Sequence, residues 1–163
     1  MNIVYVNGYN GEKSKKPKLI NKLINRDIQH ARYIYNKTPF KEIESQCKDA
    51  DIIIGSSNGA YIGRIIAEKY NIPLVSLNPV INIEETFRKL EIKAPIFPKI
   101  QDLLLEEIIF LNKDDSLIDY KKTYDKYTTQ CVIFNNGEHR FENINEIKEY
   151  LLNFINKISL WCD

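Results

Sequence analysis

Short apolar runs alternate with longer amphipathic segments along almost the whole chain, and this alternation constrains the fold more than any other feature. Six runs are rich in β-branched or aromatic residues and bounded by Gly, Pro, Asn or Asp, which predicts strands. They are Met1–Val6, Ala31–Tyr35, Asp51–Gly55, Pro73–Leu77, Glu107–Leu111 and Cys131–Phe134. Most of these runs are apolar on both faces, which is typical of buried parallel strands.

The segments between the strands carry apolar residues at helical spacing, which predicts helices. They are Lys15–Asp27, Phe40–Asp49, Gly59–Tyr70, Leu117–Tyr127 and Asn143–Ile158. Strands that alternate with helices indicate a parallel sheet covered on both faces, and right-handed crossovers leave few topologies. The sequence therefore predicts an α/β fold with a doubly wound, mostly parallel sheet of about six strands flanked by helices.

The stretch from Asn78 to Gln101 is the least regular part of the chain. Pro79, Pro95 and Pro98 interrupt it, and it is too long for a plain loop in a compact domain. We expect residues 78–101 to form a lid or a short helical excursion that lines a pocket. The whole chain, residues 1–163, is expected to form a single domain because its length suits one core.

Charge, hydropathy and cysteine usage exclude several classes of protein. The net charge of +1 gives no electrostatic basis for nucleic acid or acidic lipid as the main partner. The chain lacks both a membrane-length apolar run and the pattern of a signal peptide. Cys47, Cys131 and Cys162 have no metal-ligand spacing, and three scattered cysteines suit a reducing cytoplasm. We expect a cytoplasmic protein without metal or cofactor; its oligomeric state stays open.

The segment Gly55-Ser56-Ser57-Asn58-Gly59 matches the G-x-S-x-G pattern, with Ser57 at its centre. In such a nucleophile elbow the serine sits on a tight turn from strand to helix, and small residues two positions before and after it let strand and helix approach. A β-branched strand precedes the segment and an amphipathic helix follows it, as the motif requires. A plain Gly-Ser turn after a strand is the alternative, so the elbow needs support from elsewhere in the chain.

A serine hydroxyl becomes a good nucleophile when a base, usually a carboxylate-oriented histidine, takes its proton. In chains with this kind of elbow the acid and then the base follow the serine. His139 follows the last predicted strand, whereas His30 precedes Ser57 and is interpreted as an ordinary surface or helix-end histidine. Asp114 and Asp115 both follow the strand Glu107–Leu111. Spacing does not choose between the two aspartates, and either is also a candidate helix N-cap.

Backbone N–H groups at two predicted turns complete the candidate site. The oxyanion that forms during acyl transfer needs preorganised donors. One is expected from Asn58, the residue after the nucleophile, at the start of a helix. The other is expected from Tyr9, in the glycine-containing turn after the first strand. An ordinary strand-to-helix turn is the alternative for that segment.

Five short motifs, taken together, resemble the small bacterial YqiA-like esterases. That family has an H-G-F-type turn, a G-S-S-x-G-G-Y elbow, an N-P turn, a D-E-x-L-D-Y segment and a G-G-x-H-x-F loop. The corresponding segments here are Asn7-Gly8-Tyr9, Gly55–Tyr61, Asn78-Pro79, Asp115–Tyr120 and Asn136–Phe141. The resemblance covers nearly the whole chain and implies a compact α/β-hydrolase fold.

The resemblance also implies an activity, which is hydrolysis of small or medium-chain carboxylic esters. Ser57 would be the nucleophile and His139 the base, and alignment of the acidic segment favours Asp115 over Asp114 as the acid. Asn7 stands where the family has histidine and Ala60 replaces a second glycine, which affects efficiency and substrate choice more than mechanism. Two alternatives stay open: a thioesterase that uses the same site, and a catalytically weak or inactive binding or regulatory protein.

Overall fold

The architecture is a six-stranded parallel sheet with helices on both faces. The structure is a computed structural model, and it describes residues 1–11, 13–101 and 106–160; Cys162 lies outside this range. The strands are β1 (Ile3–Val6), β2 (Ile28–Ala31), β3 (Ile52–Ser56), β4 (Leu74–Leu77), β5 (Glu107–Asn112) and β6 (Cys131–Phe134). Their order across the sheet is β2-β1-β3-β4-β5-β6, and every neighbouring pair is parallel. The α/β prediction is confirmed.

In the described part of the chain, six α-helices connect and cover the strands. They are α1 (Lys16–Ile24), α2 (Phe40–Cys47), α3 (Asn58–Tyr70), α4 (Ile83–Lys89), α5 (Tyr120–Tyr127) and α6 (Lys148–Ser159), with 3₁₀ turns at Thr128–Gln130 and Ile144–Ile147. Helix α4 lies inside the irregular stretch 78–101. None of the helices in the described part of the chain is both long and apolar enough to cross a bilayer.

The two faces of the sheet carry separate apolar clusters because successive strand residues point to opposite sides. On β1, Ile3 and Tyr5 belong to the cluster beneath α1 and α6, whereas Val4 and Val6 belong to the cluster beneath α2 and α3. The first crossover helix therefore covers one face and the next two cover the other. This change of side lies between β1 and β3, at the point where open α/β sheets form a crevice.

Strand β2 differs from its prediction, which placed it at Ala31–Tyr35. The observed strand, Ile28–Ala31, is set by its register with β1, in which Ile3 pairs with Ile28 and Val6 with Ala31. It is an edge strand with a half-exposed, polar pattern, so it lacks the apolar run that predicts a buried strand. The apolar residues that follow lie beyond the end of the sheet, where the Tyr33 hydroxyl donates to the Asn7 carbonyl at 2.8 Å.

Helix ends differ from the predicted ones where side chains or backbone angles close them. Helix α1 stops at Ile24 because Asn25 adopts left-handed φ and ψ of 51° and 45°, which end a helix. Helix α5 begins only at Tyr120, since the Asp119 side chain accepts from the N–H of Lys121 at 3.0 Å and caps it. Both helices are therefore shorter than predicted, but their apolar faces are unchanged.

Candidate active site

The predicted nucleophile lies on a strained turn between β3 and α3. Ser57 has φ 55° and ψ −121°, a conformation that costs a non-glycine residue about 1–3 kcal/mol. Backbone hydrogen bonds hold this turn: the N–H of Ser57 donates to Leu77 O at 2.9 Å, and its carbonyl accepts from the N–H of Val80 at 3.2 Å. The elbow is thus fixed from the carboxyl end of the neighbouring strand β4.

The two glycines of the elbow are required by close backbone contacts. A Cβ on Gly55 would lie 2.7 Å from the backbone nitrogen of Ala60, and one on Gly59 would overlap the carbonyl oxygens of Val6 and Asn7. These contacts bring α3 against β1 and β3, which is the reason for the glycine spacing. Ala60 is buried at the same contact, so a residue with one methyl group fits the position where the family has glycine.

The structure brings Ser57, His139 and Asp115 together at the carboxyl edge of the sheet. Ser57 Oγ lies 2.9 Å from His139 Nε2, and His139 Nδ1 lies 2.8 Å from Asp115 Oδ2. A carboxylate only accepts, so Nδ1 carries the proton and Nε2 is free to accept the serine proton. This is the geometry that general-base activation of a hydroxyl requires.

The two candidate aspartates occupy different environments. Asp114 is exposed, whereas the Asp115 side chain is 1 % exposed and the His139 side chain is 24 % exposed. The second oxygen of Asp115, Oδ1, accepts from the N–H groups of Leu117 and Ile118, both at 2.8 Å. Three acceptor contacts fix this carboxylate in the orientation that faces the imidazole.

The two predicted oxyanion donors line the same cavity as Ser57 and His139. Asn58 is the first residue of α3, where the N–H has no partner within the helix. Tyr9 lies in a turn closed by a 3.0 Å hydrogen bond from the N–H of Gly11 to Gly8 O. Neither N–H donates to another described residue, so both are available to a ligand oxygen.

Asn7 occupies the position where the resembling family has histidine, and it braces the turn that holds Tyr9. Its side chain is buried; Nδ2 donates to Gly8 O at 2.8 Å, and Oδ1 lies 3.0 Å from His30 Nε2. His30 does not lie at a helix end. It lies half-buried on β2, and it contacts the turn because β2 pairs with β1.

Two asparagines that follow β4 and end β5 hold the loop that carries His139; Asn112 was not singled out from the sequence. Asn78 Nδ2 lies 3.2 Å from the Glu138 carbonyl and 3.4 Å from the His139 carbonyl, and Asn112 Nδ2 donates to Glu138 O at 3.1 Å. Asn78 Oδ1 also accepts from the N–H of Asn112 at 2.8 Å. Both side chains are buried. In the sequence, Asn78 was marked by the N-P turn of the resemblance, whereas Asn112 was marked only by its position after a predicted strand.

A cavity of about 490 Å³ opens beside Ser57 and His139, a size that suits a small organic ligand. Part of its wall comes from the stretch 78–101, through Val80, Thr86, Phe87 and Leu90. Among the apolar residues of this stretch, Phe87 and Leu90 line the cavity, whereas Ile96 is 94 % exposed. A lid role for residues 78–101 stays a prediction.

Among the described residues, no group of three or more His, Cys, Asp and Glu side chains has the arrangement of a metal site. The polar groups that converge beside Ser57 are instead a hydroxyl, an imidazole, a carboxylate and backbone N–H groups. This set is suited to acyl transfer by a nucleophilic serine.

Comparison with known proteins agrees with this architecture. The model of an uncharacterised protein family, UPF0227, which is YqiA-like, matches residues 2–156. No curated protein matches the sequence significantly.

Among solved structures, one similar protein comes from Xanthomonas campestris pv. campestris and is placed by its description in the alpha/beta superfamily of hydrolases. It has a TM-score of 0.72 at 11% identity, over 96% of this chain and 98% of that one. The esterase domain of a Rhodothermus marinus protein has a TM-score of 0.69 at 9% identity, over 96% and 86% of the two chains. A Pyrococcus furiosus esterase has a TM-score of 0.68 at 13% identity, over 97% and 81%. At these identities the likeness shows an α/β-hydrolase fold.

Proposed function

The chain belongs to the YqiA-like family UPF0227, and from that premise and the geometry of the site we propose that it is a serine esterase that hydrolyses small or medium-chain carboxylic esters. The observation that carries the proposal is the continuous hydrogen-bonded series from Ser57 through His139 to Asp115. Similar solved structures that are described as esterases support the class of reaction.

In the proposed mechanism, His139 Nε2 takes the Ser57 proton as Oγ attacks the ester carbonyl carbon. The N–H groups of Tyr9 and Asn58 stabilise the tetrahedral oxyanion. Asp115 keeps the proton on Nδ1 and stabilises the imidazolium. His139 then gives the proton to the leaving alcohol, and a water molecule, activated in the same way, releases the acid from the acyl-enzyme.

The direct test is Ser57→Ala assayed with short 4-nitrophenyl esters. Loss of the hydroxyl removes the nucleophile, so we expect kcat to fall by at least about 10³-fold, since removal of a nucleophile leaves only binding and oxyanion stabilisation. Ser45→Ala is a matched control because Ser45 is an exposed residue on α2, remote in the chain from the elbow. Wild-type turnover in Ser57→Ala would exclude the proposed nucleophile.

A fluorophosphonate probe separates a catalytic site from an inactive one. We expect a mass adduct on Ser57 in the folded wild-type protein, retained in Ser56→Ala and absent in Ser57→Ala. Folded wild-type protein that resists labelling and lacks ester turnover would favour a non-catalytic binding or regulatory role. A thioester panel run beside the esters distinguishes a thioesterase, since the same apparatus accepts either acyl group.

A further inference from the structure

The cavity beside Ser57 has an apolar part and a cationic part. Val80, Phe87, Leu90 and Leu117 contribute apolar surface. Three basic side chains also line the cavity: Lys13, Lys16 and Arg140. None of the described residues that line it carries a carboxylate. Ester hydrolysis as derived above uses none of these cations, so their presence needs another explanation.

Lys16 is the most informative of the three because it is largely buried. It is the first residue of α1, and its Nζ donates to Ser56 Oγ at 3.0 Å. An ammonium group has three N–H donors, and among the described residues Ser56 is the only side chain that accepts from it. The pKa of Lys16 is lowered to about 8, chiefly by burial; the charges of Glu142 and Asp115 raise it and the charge of Arg140 lowers it.

Among the described residues, no acidic side chain pairs with Lys16 by direct contact. Tyr5 is held neutral because burial raises its pKa to about 12. Asp115 and Glu142 act on Lys16 through their charges, but the oxygens of Asp115 are committed to His139 and to two backbone N–H groups. A partly buried cation without a paired anion is costly, and a perturbed titratable group in a cleft marks a candidate functional site.

We propose, on the premise of the esterase function above, that the substrate of this site carries an anionic group, carboxylate or phosphate, that binds Lys16 and Arg140. Arg140 follows His139 directly, and Ser56 precedes Ser57, so both cations are tied to the reacting groups through adjacent residues. An anion between them relieves their mutual repulsion and satisfies free N–H donors of Lys16. The apolar part of the substrate contacts Phe87 and Leu117.

Matched ester pairs test this specificity. Mono-4-nitrophenyl adipate carries a carboxylate on the acyl part, and 4-nitrophenyl adipamate is its neutral isostere. On the alcohol part, 4-carboxyphenyl butyrate is paired with 4-carbamoylphenyl butyrate. Each kcat/KM is divided by the uncatalysed rate, which removes differences in intrinsic reactivity. For at least one pair we expect the anionic ester to be preferred about tenfold or more, mainly through KM, and the pair that responds shows which part of the substrate carries the charge.

Substitution of Lys16 and Arg140 tests whether these two side chains cause the preference for the anionic ester. Lys16→Met and Arg140→Met are each expected to reduce the ratio of anionic to neutral kcat/KM to within about twofold of one. Lys18→Met is the matched control because Lys18 lies on the same helix, is exposed and does not line this cavity, and it should keep the wild-type ratio. If Lys16→Met does not fold, Lys16→Gln provides a second substitution at the same position. Arg140 is exposed, so Arg140→Met tests the anion site without a change in the buried part of the protein. Circular dichroism melts show whether every variant is folded.

The pH dependence of the ratio of anionic to neutral kcat/KM is an independent test. Lys16 loses its proton as the pH rises through about 8, so the ratio should fall above that pH. The charged groups that act on Lys16 from the neighbouring elements are Glu142, Arg140 and Asp115. A ratio near one for both pairs in the wild-type protein, or a preference that survives both cation substitutions, would overturn the proposal.

Failure of this inference is distinguishable from failure of the proposed esterase function. Hydrolysis of the neutral esters that depends on Ser57 but shows no anionic preference would exclude the anion site alone. For a readout without turnover, adipate should raise the melting temperature of Ser57→Ala in a saturable way, whereas adipamide should not. If the double variant Ser57→Ala, Lys16→Met loses this shift in melting temperature, the anion site is supported. If adipate does not shift the melting temperature of Ser57→Ala, the result counts against the site, whatever the activity of the protein.

Discussion

Replacing Asp115 by asparagine tests how much of the activity depends on the tautomer and orientation of His139, because the substitution keeps the shape of the side chain. In the structure, Asp115 Oδ2 accepts from His139 Nδ1, and Oδ1 accepts from two backbone N–H groups at 2.8 Å. The asparagine has the same shape but only one oxygen. With that oxygen on the two N–H groups, its NH₂ faces Nδ1, so the imidazole must move its proton to Nε2, where it can no longer accept from Ser57.

The opposite placement of the amide is unfavourable. It would leave the N–H groups of Leu117 and Ile118 facing an NH₂, and an unsatisfied buried donor costs about 1–3 kcal/mol. Two such donors therefore cost about 2–6 kcal/mol, and the wrong histidine tautomer is the state we expect. A loss of about 10³–10⁴-fold in kcat follows, which corresponds to about 4–5.5 kcal/mol of barrier.

The adjacent Asp114→Asn is the matched control, since Asp114 is exposed and should change kcat by less than about twofold. Initial rates with 4-nitrophenyl butyrate over a range of concentrations separate kcat from KM, and thermal melts establish that both variants fold. The reasoning is refuted if Asp115→Asn keeps kcat within about tenfold of wild type, or if Asp114→Asn shows the larger loss.

Three further predictions concern the scaffold around the site. Asn78→Ala removes donors to the loop that carries His139, so kcat should fall about tenfold and urea titration should show about 1–3 kcal/mol less stability; unchanged values in both assays would contradict the bracing role. Gly59→Ala should lose about 3 kcal/mol because its Cβ overlaps backbone carbonyls, whereas Gly63→Ala, whose Cβ meets only side chains, should lose less in the same titration. Burial raises the pKa of Cys47 to about 12, so its modification by a thiol reagent at pH 8 should be at least about 100-fold slower in native than in unfolded protein, and equal rates by peptide mass spectrometry would refute this.

Most of the strands and the elbow were predictable because their signals are local. The β-branched run before Ser57 and the glycine spacing around it are properties of adjacent residues, and β6 was predicted with its observed bounds, Cys131–Phe134. The exception, β2, shows the limit of such signals. Its register with β1 is set by pairing across the sheet, and an edge strand with polar residues lacks the alternation or apolar run that would reveal it.

By itself, the sequence determined the α/β class and the position of Ser57 at the centre of the G-x-S-x-G motif. It also determined that an acidic pair and a histidine follow later strands. These features are predictable because periodicity and motif spacing depend on residues that are close together in the sequence. Tertiary structure decided what depends on distant residues meeting: Asp115 rather than Asp114 against His139, His30 against Asn7, and Lys16 against Ser56. These contacts follow from strand order, which gathers the carboxyl ends of separate strands at one edge. No local pattern encodes which side chains that edge will bring within hydrogen-bond distance.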